Sequence, residues 1–226
     1  MPTAILIDGA YFIKRFRRIE PHNSMNPQRA ADLVHRWAVA HLNSANQPQR
    51  ELYRIFFYDC APLEKKMHHP VTKRAVDFAK SPEAVFRRKL HDLLRHKRKV
   101  ALRLGHLSTQ VGWTVSQVKL DDILKQKLKV EDLLETDFSP AVRQKGVDMR
   151  IGIDISSLSL KHQVDQIVLF AGDADFVPAA KLARREGIDF VLDPMWNSVP
   201  DGLLEHIDGM RSVCPRPPAK QALSGR

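Results

Sequence analysis

Four short apolar runs, separated by helix-forming stretches, limit what this sequence can fold into. Each run is rich in Ile, Val, Leu or Phe and shows little polar alternation, which is typical of strands covered on both faces. Because strands and helices alternate, the sequence predicts an α/β fold with a mainly parallel central sheet. A short final strand is expected at Met210–Val213. The four apolar runs are Ala4–Asp8, Tyr53–Asp59, Gln166–Phe170 and Asp189–Leu192.

The predicted helices are marked by start and stop signals. Asn26–Pro27 and Ser81–Pro82 each combine an N-cap residue with a proline in the first turn, so each predicts a helix start. A third helix is expected over about residues 146–161. A fourth is expected over about residues 176–186, where Gly187 supplies a left-handed end.

The stretch between the second and third apolar runs departs from this alternation. It contains one of the predicted helices and two candidate strands, Val100–Leu107 and Trp113–Leu120, that a turn could join. We therefore expect an inserted helix plus hairpin at about residues 61–144, within one domain that spans residues 1–213. Residues 214–226 are rich in proline and basic side chains and are expected to form a tail.

The charge balance favours a polyanionic partner. The 226 residues include 36 Lys and Arg against 26 Asp and Glu, a formal net charge of +10, which favours nucleic acid. Many basic proteins bind no polyanion, so charge alone leaves this open. The apolar runs are too short to cross a bilayer, and no export signal precedes the first strand. We expect a cytoplasmic protein with no membrane partner, in which Cys60 and Cys214 stay reduced.

Several carboxylates are expected at the carboxyl edge of the predicted sheet. Asp8 and Asp59 end two of the apolar runs, and Asp173 follows a third. Open α/β sheets bind ligands at this edge, and carboxylates gathered there raise one another's pKa unless a cation compensates them. Mg²⁺ or Mn²⁺ is the natural cation, because both ions prefer oxygen ligands. Asp148, near the start of the third predicted helix, is a further candidate ligand.

Some of the aspartates also have a structural alternative. An aspartate at a strand end often forms a turn or caps the next helix, and we favour that role for Asp59. Asp154 lies six residues after Asp148 and so on a different helix face, which favours a structural role there too. For Asp175, capping and metal binding are both open. Because Asp173 directly follows the strand and its glycine, we assign metal contact to Asp173 and capping to Asp175.

Two basic segments are candidates for binding a nucleic-acid backbone. Residues 87–99 contain seven Lys or Arg against one acid. A solvated helix face is the alternative, but such faces usually mix both signs. A second cluster follows the first strand, and further basic residues flank Asp148. The candidate contacts are Lys14, Arg15, Arg87, Arg88, Arg95, Lys97, Arg98 and Arg150, with Lys145 as an accessory residue.

Three segments carry a resemblance to a known family. They are Ile5–Gly9 (ILIDG), Lys145–Asp148 (KGVD) followed by Ile153–Asp154, and Phe170–Pro178 (FAGDADFVP). In this order they resemble the signature blocks of the NYN domain family, the LabA-like branch of the PIN-domain ribonuclease superfamily. The resemblance spans about residues 3–213 and implies a PIN-like three-layer α/β/α sandwich.

The resemblance also implies an activity and a site. The family's metal-binding acids correspond here to Asp8, Asp148 and Asp173, with Asp175 as an accessory residue. The implied reaction is hydrolysis of RNA phosphodiester bonds by a water that Mg²⁺ or Mn²⁺ activates. RNA is therefore the implied partner.

Two positions depart from the family pattern. Many members carry Asn where this chain has accessory residue Tyr11, and Ser or Thr where it has Ala171. The loss of two small polar groups favours the alternative of a catalytically weak RNA-binding or regulatory module, whereas the intact acids favour a ribonuclease. Other Mg²⁺-dependent phosphotransfer folds are disfavoured. Toprim domains need Glu at the first strand end, haloacid-dehalogenase phosphatases need a DxD motif there, and this chain has Asp8 followed by Gly and Ala.

Overall fold

A seven-stranded sheet forms the centre of the fold. The computed structural model describes residues 2–43, 49–108, 111–142 and 144–218. The strands in these ranges are β1 (Pro2–Asp8), β2 (Glu51–Cys60), β3 (Lys66–His68), β4 (Ala75–Asp77), β5 (Val100–Leu107), β6 (Trp113–Val115), β7 (Phe138–Pro140), β8 (Gln144–Lys145), β9 (Gln166–Phe170), β10 (Asp189–Asp193) and β11 (Gly209–Met210). The helices are α1 (Gly9–Ile19), α2 (Pro27–Ala40), α3 (Pro82–Arg95), α4 (Gln117–Leu124), α5 (Val147–Leu160), α6 (Val177–Arg185) and α7 (Asp201–Leu204).

The strand order of the main sheet is β11-β10-β9-β1-β2-β5-β8. Neighbouring strands are parallel, except that β8 runs antiparallel to β5. This confirms the predicted α/β class with a mainly parallel sheet. From β1 the chain builds outward through β2 and β5, then returns to β9 and builds outward in the other direction. The order therefore reverses between β1 and β9, and open α/β sheets bind ligands in the crevice at such a reversal.

Alternate residues of the central strands pack against helices on opposite faces of the sheet. Ile5 and Ile7 join a cluster that includes residues of α1, α2 and α3. Ala4 and Leu6 join a second cluster that includes residues of α5 and α6. All four side chains are fully buried, because a strand turns successive side chains to opposite faces. Burial on both faces explains why the strand sequences are unbroken apolar runs.

Most of the predicted elements are confirmed. Strand β9 has the predicted bounds. Asn26 caps α2 by accepting from the Arg29 amide over 3.0 Å, and Ser81 caps α3 by accepting from the Ala84 amide over 3.2 Å. The final strand is shorter than predicted, and helix α1 has no counterpart in the prediction. Within the described ranges, no helix combines the length and apolar character needed to cross a membrane.

The predicted hairpin is wrong. Val100–Leu107 is β5, which pairs in parallel with β2, and α3 provides the crossover that a parallel pair requires. Trp113–Val115 instead pairs antiparallel with β7, and Gln117–Leu124 is helix α4. A short apolar run predicts a strand but does not indicate which strand it pairs with. The sequence therefore could not distinguish a hairpin from pairing with β2. Helix α3 and β5 therefore belong to the central α/β unit and not to an insertion. The domain boundary at residue 213 stays a prediction.

Two small sheets extend from the carboxyl ends of β2 and β5. The β3–β4 pair follows β2, and the β6–β7 pair follows β5. The indole nitrogen of Trp113 donates to the His68 carbonyl over 2.9 Å, and His69 Nε2 bonds to the Glu135 carbonyl over 3.2 Å. These contacts join the two small sheets, which we call the peripheral lobe (residues 61–80 and 111–142).

A buried ion network fastens α3 to the end of β2. Asp59 is fully buried and accepts hydrogen bonds from the Arg87 guanidinium and, over 2.8 Å, from His91 Nε2. Glu83 accepts from Arg87 over 2.7 Å and from Arg17 over 2.6 Å, which extends the network to α1. The Asp59 carboxylate is therefore occupied by protein partners, in line with the structural role favoured for it.

We expect Asp59→Ala to lower the free energy of unfolding by about 3–5 kcal/mol, because it leaves Arg87 and His91 without their buried partner. The control is Arg95→Ala, which removes an exposed pair with Asp92 and should change stability by about 0.5 kcal/mol or less. Urea denaturation of the two variants measures both effects. Equal effects in the two variants would show that the network contributes no more than a surface pair.

Candidate metal and RNA site

Asp8 lies at the carboxyl end of β1, beside the crevice between β1 and β9. Its Oδ1 accepts a hydrogen bond from the Tyr11 amide over 3.1 Å and caps α1. Gly9 lets the chain pass close to β2, since a Cβ added there would lie 2.5 Å from the Tyr58 carbonyl oxygen. The cap and this close approach together hold the Asp8 carboxylate at the crevice.

Asp173 lies across the crevice, shortly after β9. Its exposed carboxylate accepts from the Asp175 amide over 3.2 Å and caps a short 3₁₀ turn, Ala174–Phe176. The predicted assignment of capping to Asp175 is therefore wrong, because Asp173 is the cap. Helix α6 starts only at Val177 and has no side-chain cap. The 3₁₀ turn before α6 places Asp175 inside a turn instead of at the helix start.

Asp148 approaches the same edge of the sheet from the first turn of α5. Strand β8 pairs with the carboxyl end of β5, so α5 begins at that edge. Gly146, which precedes the helix, has φ of 77°, a conformation that glycine adopts without a steric penalty. The Asp148 side chain is exposed, so solvent and ligands can reach it.

The acids interact electrostatically across the crevice. Burial is the main cause that raises the pKa of Asp8 to about 6, and the charge of Asp148 raises it further. Partial burial raises the pKa of Asp148, and the charges of Asp173 and Asp175 add to that effect. Each carboxylate therefore makes the ionisation of a neighbour more costly.

The donor set of this crevice fits a hard divalent cation. All its candidate ligands are carboxylate oxygens, which Mg²⁺ and Mn²⁺ prefer. Among the described residues, no group of three or more His, Cys, Asp or Glu side chains is placed to hold a metal ion. Mg²⁺ keeps several waters and is usually held by one or two carboxylates, so it does not require a closed set of three. The assignment of Asp8, Asp148 and Asp173 as ligands stays a prediction.

Tyr11 closes the crevice on the side of β10. Its hydroxyl donates to the Pro194 carbonyl over 2.6 Å. Its ring packs on Gly172, where an added Cβ would lie 2.6 Å from a ring carbon. Burial raises the pKa of the phenol to about 12. Tyr11 therefore contacts both the turn before Asp173 and the loop after β10, and it holds the two together.

A family model described as NYN domain matches residues 2–199, nearly the whole chain. The chain belongs to the NYN domain family. This confirms the family resemblance of the three sequence blocks, and NYN domains belong to the PIN-like nuclease superfamily.

Two individual proteins resemble this NYN domain. An uncharacterised protein of Methanocaldococcus jannaschii is 29% identical over 73 residues, which are 32% of this chain and 30% of that protein. The match therefore spans less than a third of the relative's length. A solved structure of a protein of unknown function from Vibrio parahaemolyticus aligns with a TM-score of 0.49 and 15% identity, covering 94% of this chain and 92% of that one.

Several basic side chains of this NYN domain lie near the acidic crevice. Lys145 belongs to β8, at the carboxyl end of β5, and Arg150 follows Asp148 in α5. Both are exposed, as is Lys14 on α1. Arg88 is exposed as well, but it pairs with an acid of the peripheral lobe over 3.1 Å. Lys14, Lys145 and Arg150 are therefore the predicted contacts that are best placed for a bound phosphate.

Two predicted RNA contacts have side chains that are bonded within the fold and are therefore poorly placed to reach RNA. Arg15 is only 4% exposed and donates to the Met195 carbonyl through two nitrogens, over 3.0 and 2.5 Å. Arg87 is held by Asp59 and Glu83 in the buried network. A basic residue on a helix is usually exposed, so this burial could not be expected from the sequence.

The basic stretch at the end of α3 lies at the opposite edge of the sheet. The Lys99 carbonyl accepts from the Ile55 amide over 2.8 Å, and the side-chain Nζ of Lys99 donates to the Leu52 carbonyl. Both contacts lie near the amino end of β2. The eight residues of β5 separate this edge from the crevice by about 25 Å. The predicted RNA contacts Arg95, Lys97 and Arg98 therefore lie away from the crevice, and their assignment as RNA contacts stays a prediction.

One strand-end carboxylate is not among the predicted site residues. Asp193 ends β10 and is fully buried. It bonds to His41 Nε2 over 2.9 Å and accepts from the Met195 amide over 2.7 Å. The run DFVLD ends in Asp like two of the other runs, and this was the available signal. Since its oxygens are already bound, Asp193 supports the loop after β10 and does not extend the acidic crevice.

We expect Asp8→Asn to stabilise the metal-free protein at neutral pH. Asn can still cap α1, but it removes a carboxylate whose pKa is raised from 3.8 to about 6. A raised carboxyl pKa favours folding while the group is protonated, so the wild type loses stability as pH rises from about 4 to about 6. The variant should therefore gain about 1–3 kcal/mol at about pH 7 and nothing below about pH 4. Urea denaturation in EDTA measures this, and a gain that is independent of pH would contradict it.

The cap at Asp173 predicts a difference between two variants that remove the same charge. Asp173→Ala should be less stable than Asp173→Asn by about 1 kcal/mol, because Asn caps as well as Asp does. Asp175→Ala is the matched control and should lose no capping energy. Thermal denaturation of the three variants tests this. A loss in Asp175→Ala that is as large as the loss in Asp173→Ala would show that the cap is wrongly assigned.

Proposed function

We propose that this NYN domain is a metal-dependent ribonuclease that hydrolyses RNA phosphodiester bonds. One observation carries the proposal. Carboxylates from three separate segments lie at the carboxyl edge of the sheet near its reversal point, where the charge of Asp148 raises the pKa of Asp8, and the charges of Asp173 and Asp175 raise the pKa of Asp148. Such an arrangement opposes folding unless a cation compensates it. The residues concerned are Asp8, Asp148, Asp173 and Asp175.

The architecture supports this assignment. The mainly parallel sheet, with helices against both faces, is compatible with the PIN-like three-layer α/β/α sandwich of metal-dependent nucleases. The acidic crevice lies where ligands of open α/β sheets bind. Fold alone does not establish an activity, so the proposal rests on the acids.

Each acid has a role that follows from its setting. Asp8, Asp148 and Asp173 would hold Mg²⁺ or Mn²⁺, and Asp175 would act through a water or through Asp173. When bound, the metal lowers the pKa of a water ligand and neutralises the charge that develops on the phosphate. Asp8 is oriented by its cap to α1 and Asp173 by its cap to the 3₁₀ turn, so neither carboxylate has to be ordered when substrate binds.

The basic residues near the crevice would bind the RNA backbone on either side of the cleaved bond. Lys145, Arg150 and Lys14 are exposed there. Each contact with single-stranded RNA that is lost should reduce the slope of log affinity against log salt by about 0.7. This division of labour explains how an acidic site can lie within a chain of net charge +10.

A catalytically weak RNA-binding module is the second candidate. Tyr11 favours it, because the ring stands where many family members have a small amide and is committed to Pro194 and Gly172. Ala171 does not favour it. Its side chain is fully buried in the core beneath α5 and α6, so a hydroxyl there would face the core and not a phosphate.

The test is cleavage of single-stranded RNA and DNA in the presence of Mn²⁺, Mg²⁺ or EDTA. We expect cleavage of RNA with metal, none with EDTA, and a loss of more than about 100-fold in Asp8→Asn and Asp173→Asn. Asp165→Asn is the matched control, because Asp165 is an exposed aspartate at the other end of β9. It should keep the wild-type rate.

Metal binding has a readout that does not depend on cleavage. Mn²⁺ should raise the Tm of the wild type and of Asp165→Asn, because it binds the folded state, and should raise the Tm of Asp173→Asn much less. Metal binding and RNA binding without cleavage would support the weak module instead. Cleavage that persists in EDTA would contradict a metal-dependent mechanism.

A further inference from the structure

Trp196, in the loop after β10, is both exposed and rigidly held. Its exposed fraction is 47%, whereas that of Trp37 is 4%. The Trp196 amide donates to Ser212 Oγ over 2.9 Å, and its indole nitrogen donates to the Cys214 carbonyl over 2.7 Å. An exposed indole whose polar atoms are all bonded to the protein presents only its ring to solvent.

The backbone of this loop is strained in a way that keeps the ring outside. Met195 and Trp196 have φ of 47° and 62°, and non-glycine residues in this region persist only where their surroundings enforce it. Arg15 bonds to the Met195 carbonyl, and Asp193 accepts from the Met195 amide. The Met195 side chain is fully buried, while Trp196 turns outward.

Trp196 belongs to the loop that Tyr11 joins to the acidic crevice. Tyr11 bonds to Pro194 and packs on Gly172, so it joins the loop after β10 to the turn that carries Asp173. Two residues of extended chain span at most about 7 Å, which bounds the distance from Pro194 to Trp196. An RNA strand that leaves the crevice on the β10 side would therefore meet this ring.

We propose that Trp196, together with Arg216, stacks a base of single-stranded RNA whose backbone passes the acidic crevice. The guanidinium carbon of Arg216 lies 5.5 Å from the centre of the indole ring, which is a cation–π distance. Single-stranded RNA is recognised by stacking on aromatic rings and guanidinium planes. Every base has a π face, so this contact selects unpaired bases with little sequence preference.

The surroundings of the ring fit a base better than a protein surface. The residue before it is buried and the residue after it is the exposed Asn197, so its neighbours in sequence add no exposed apolar area. A protein interface would need a broader patch. The inference rests on the proposed function for the identity of the ligand as RNA, but it requires binding only and not cleavage.

Tryptophan fluorescence tests the proposal directly. The chain has three tryptophans, and Trp113→Phe leaves the buried Trp37 and Trp196. In EDTA, a short oligouridylate should quench the fluorescence of Trp113→Phe, and an abasic phosphodiester of the same length should not. Trp196→Phe should show little quenching with either probe. Circular dichroism and Tm verify that both variants are folded.

Affinity provides a second measurement. Trp196→Ala should raise the Kd for oligouridylate about tenfold and leave the Kd for the abasic chain unchanged. Trp196→Phe, which keeps a ring, should raise it less. If Trp196→Ala does not fold, the comparison of Trp196→Phe with Trp113→Phe still decides the question.

The outcomes separate this proposal from the proposed function. Equal quenching in Trp113→Phe and Trp196→Phe, or equal binding of both probes, would overturn the stacking role even if the protein cleaves RNA. Base-dependent quenching that is lost in Trp196→Phe would support it even if no metal produces cleavage. Absence of binding to either probe in EDTA would overturn the stacking role, and cleavage with Mn²⁺ or Mg²⁺ would still decide the proposed function.

Discussion

The pairing of β1 with β2 on one side and with β9 on the other is the constraint on which the rest of the molecule depends. It places β1 in the middle of the sheet, so that both of its faces are buried under helices. It also makes the chain reverse direction at the β1–β9 boundary. As a result, Asp8 at the end of one strand faces the turn that follows the other, although 165 residues separate Asp8 from Asp173 in the sequence. Packing of the core and assembly of the site therefore have the same origin.

The carboxylates of the acidic crevice are arranged in a way that opposes folding. Asp8 is largely removed from water, and its charge is opposed by that of Asp148. Other buried carboxylates are stabilised by the protein itself. Asp59 and Asp193 are fully buried, and each is bonded to several protein groups. Natural proteins accept such local conflicts at functional sites. Asp8 and Asp173 of the crevice accept hydrogen bonds from backbone amides, whereas Asp59 and Asp193 also bond to basic side chains, and this difference distinguishes the crevice from the buried networks.

Features encoded by local sequence could be predicted, and features that depend on tertiary contacts could not. The apolar run of β9 and the caps of α2 and α3 need only neighbouring residues, and the sequence specified them. The partner of β5 depends on which strand α3 crosses back to. The burial of Arg15 depends on a carbonyl 180 residues away, and the cap at Asp173 on an unforeseen 3₁₀ turn. The acids of the candidate site were found because strand ends and family blocks coincide.

The peripheral lobe is joined to the core at the carboxyl ends of β2 and β5, before α3 and before β8, so its two small sheets lie at the edge of the sheet that carries the acids. Loops at that edge can change in length and sequence without altering strand pairing or the buried core. An ancestral domain of this design could therefore acquire new substrates by remodelling the lobe, while the acids themselves stay unchanged. Under the proposed function, such proteins would differ in sequence mainly in the peripheral lobe, which is residues 61–80 and 111–142 here.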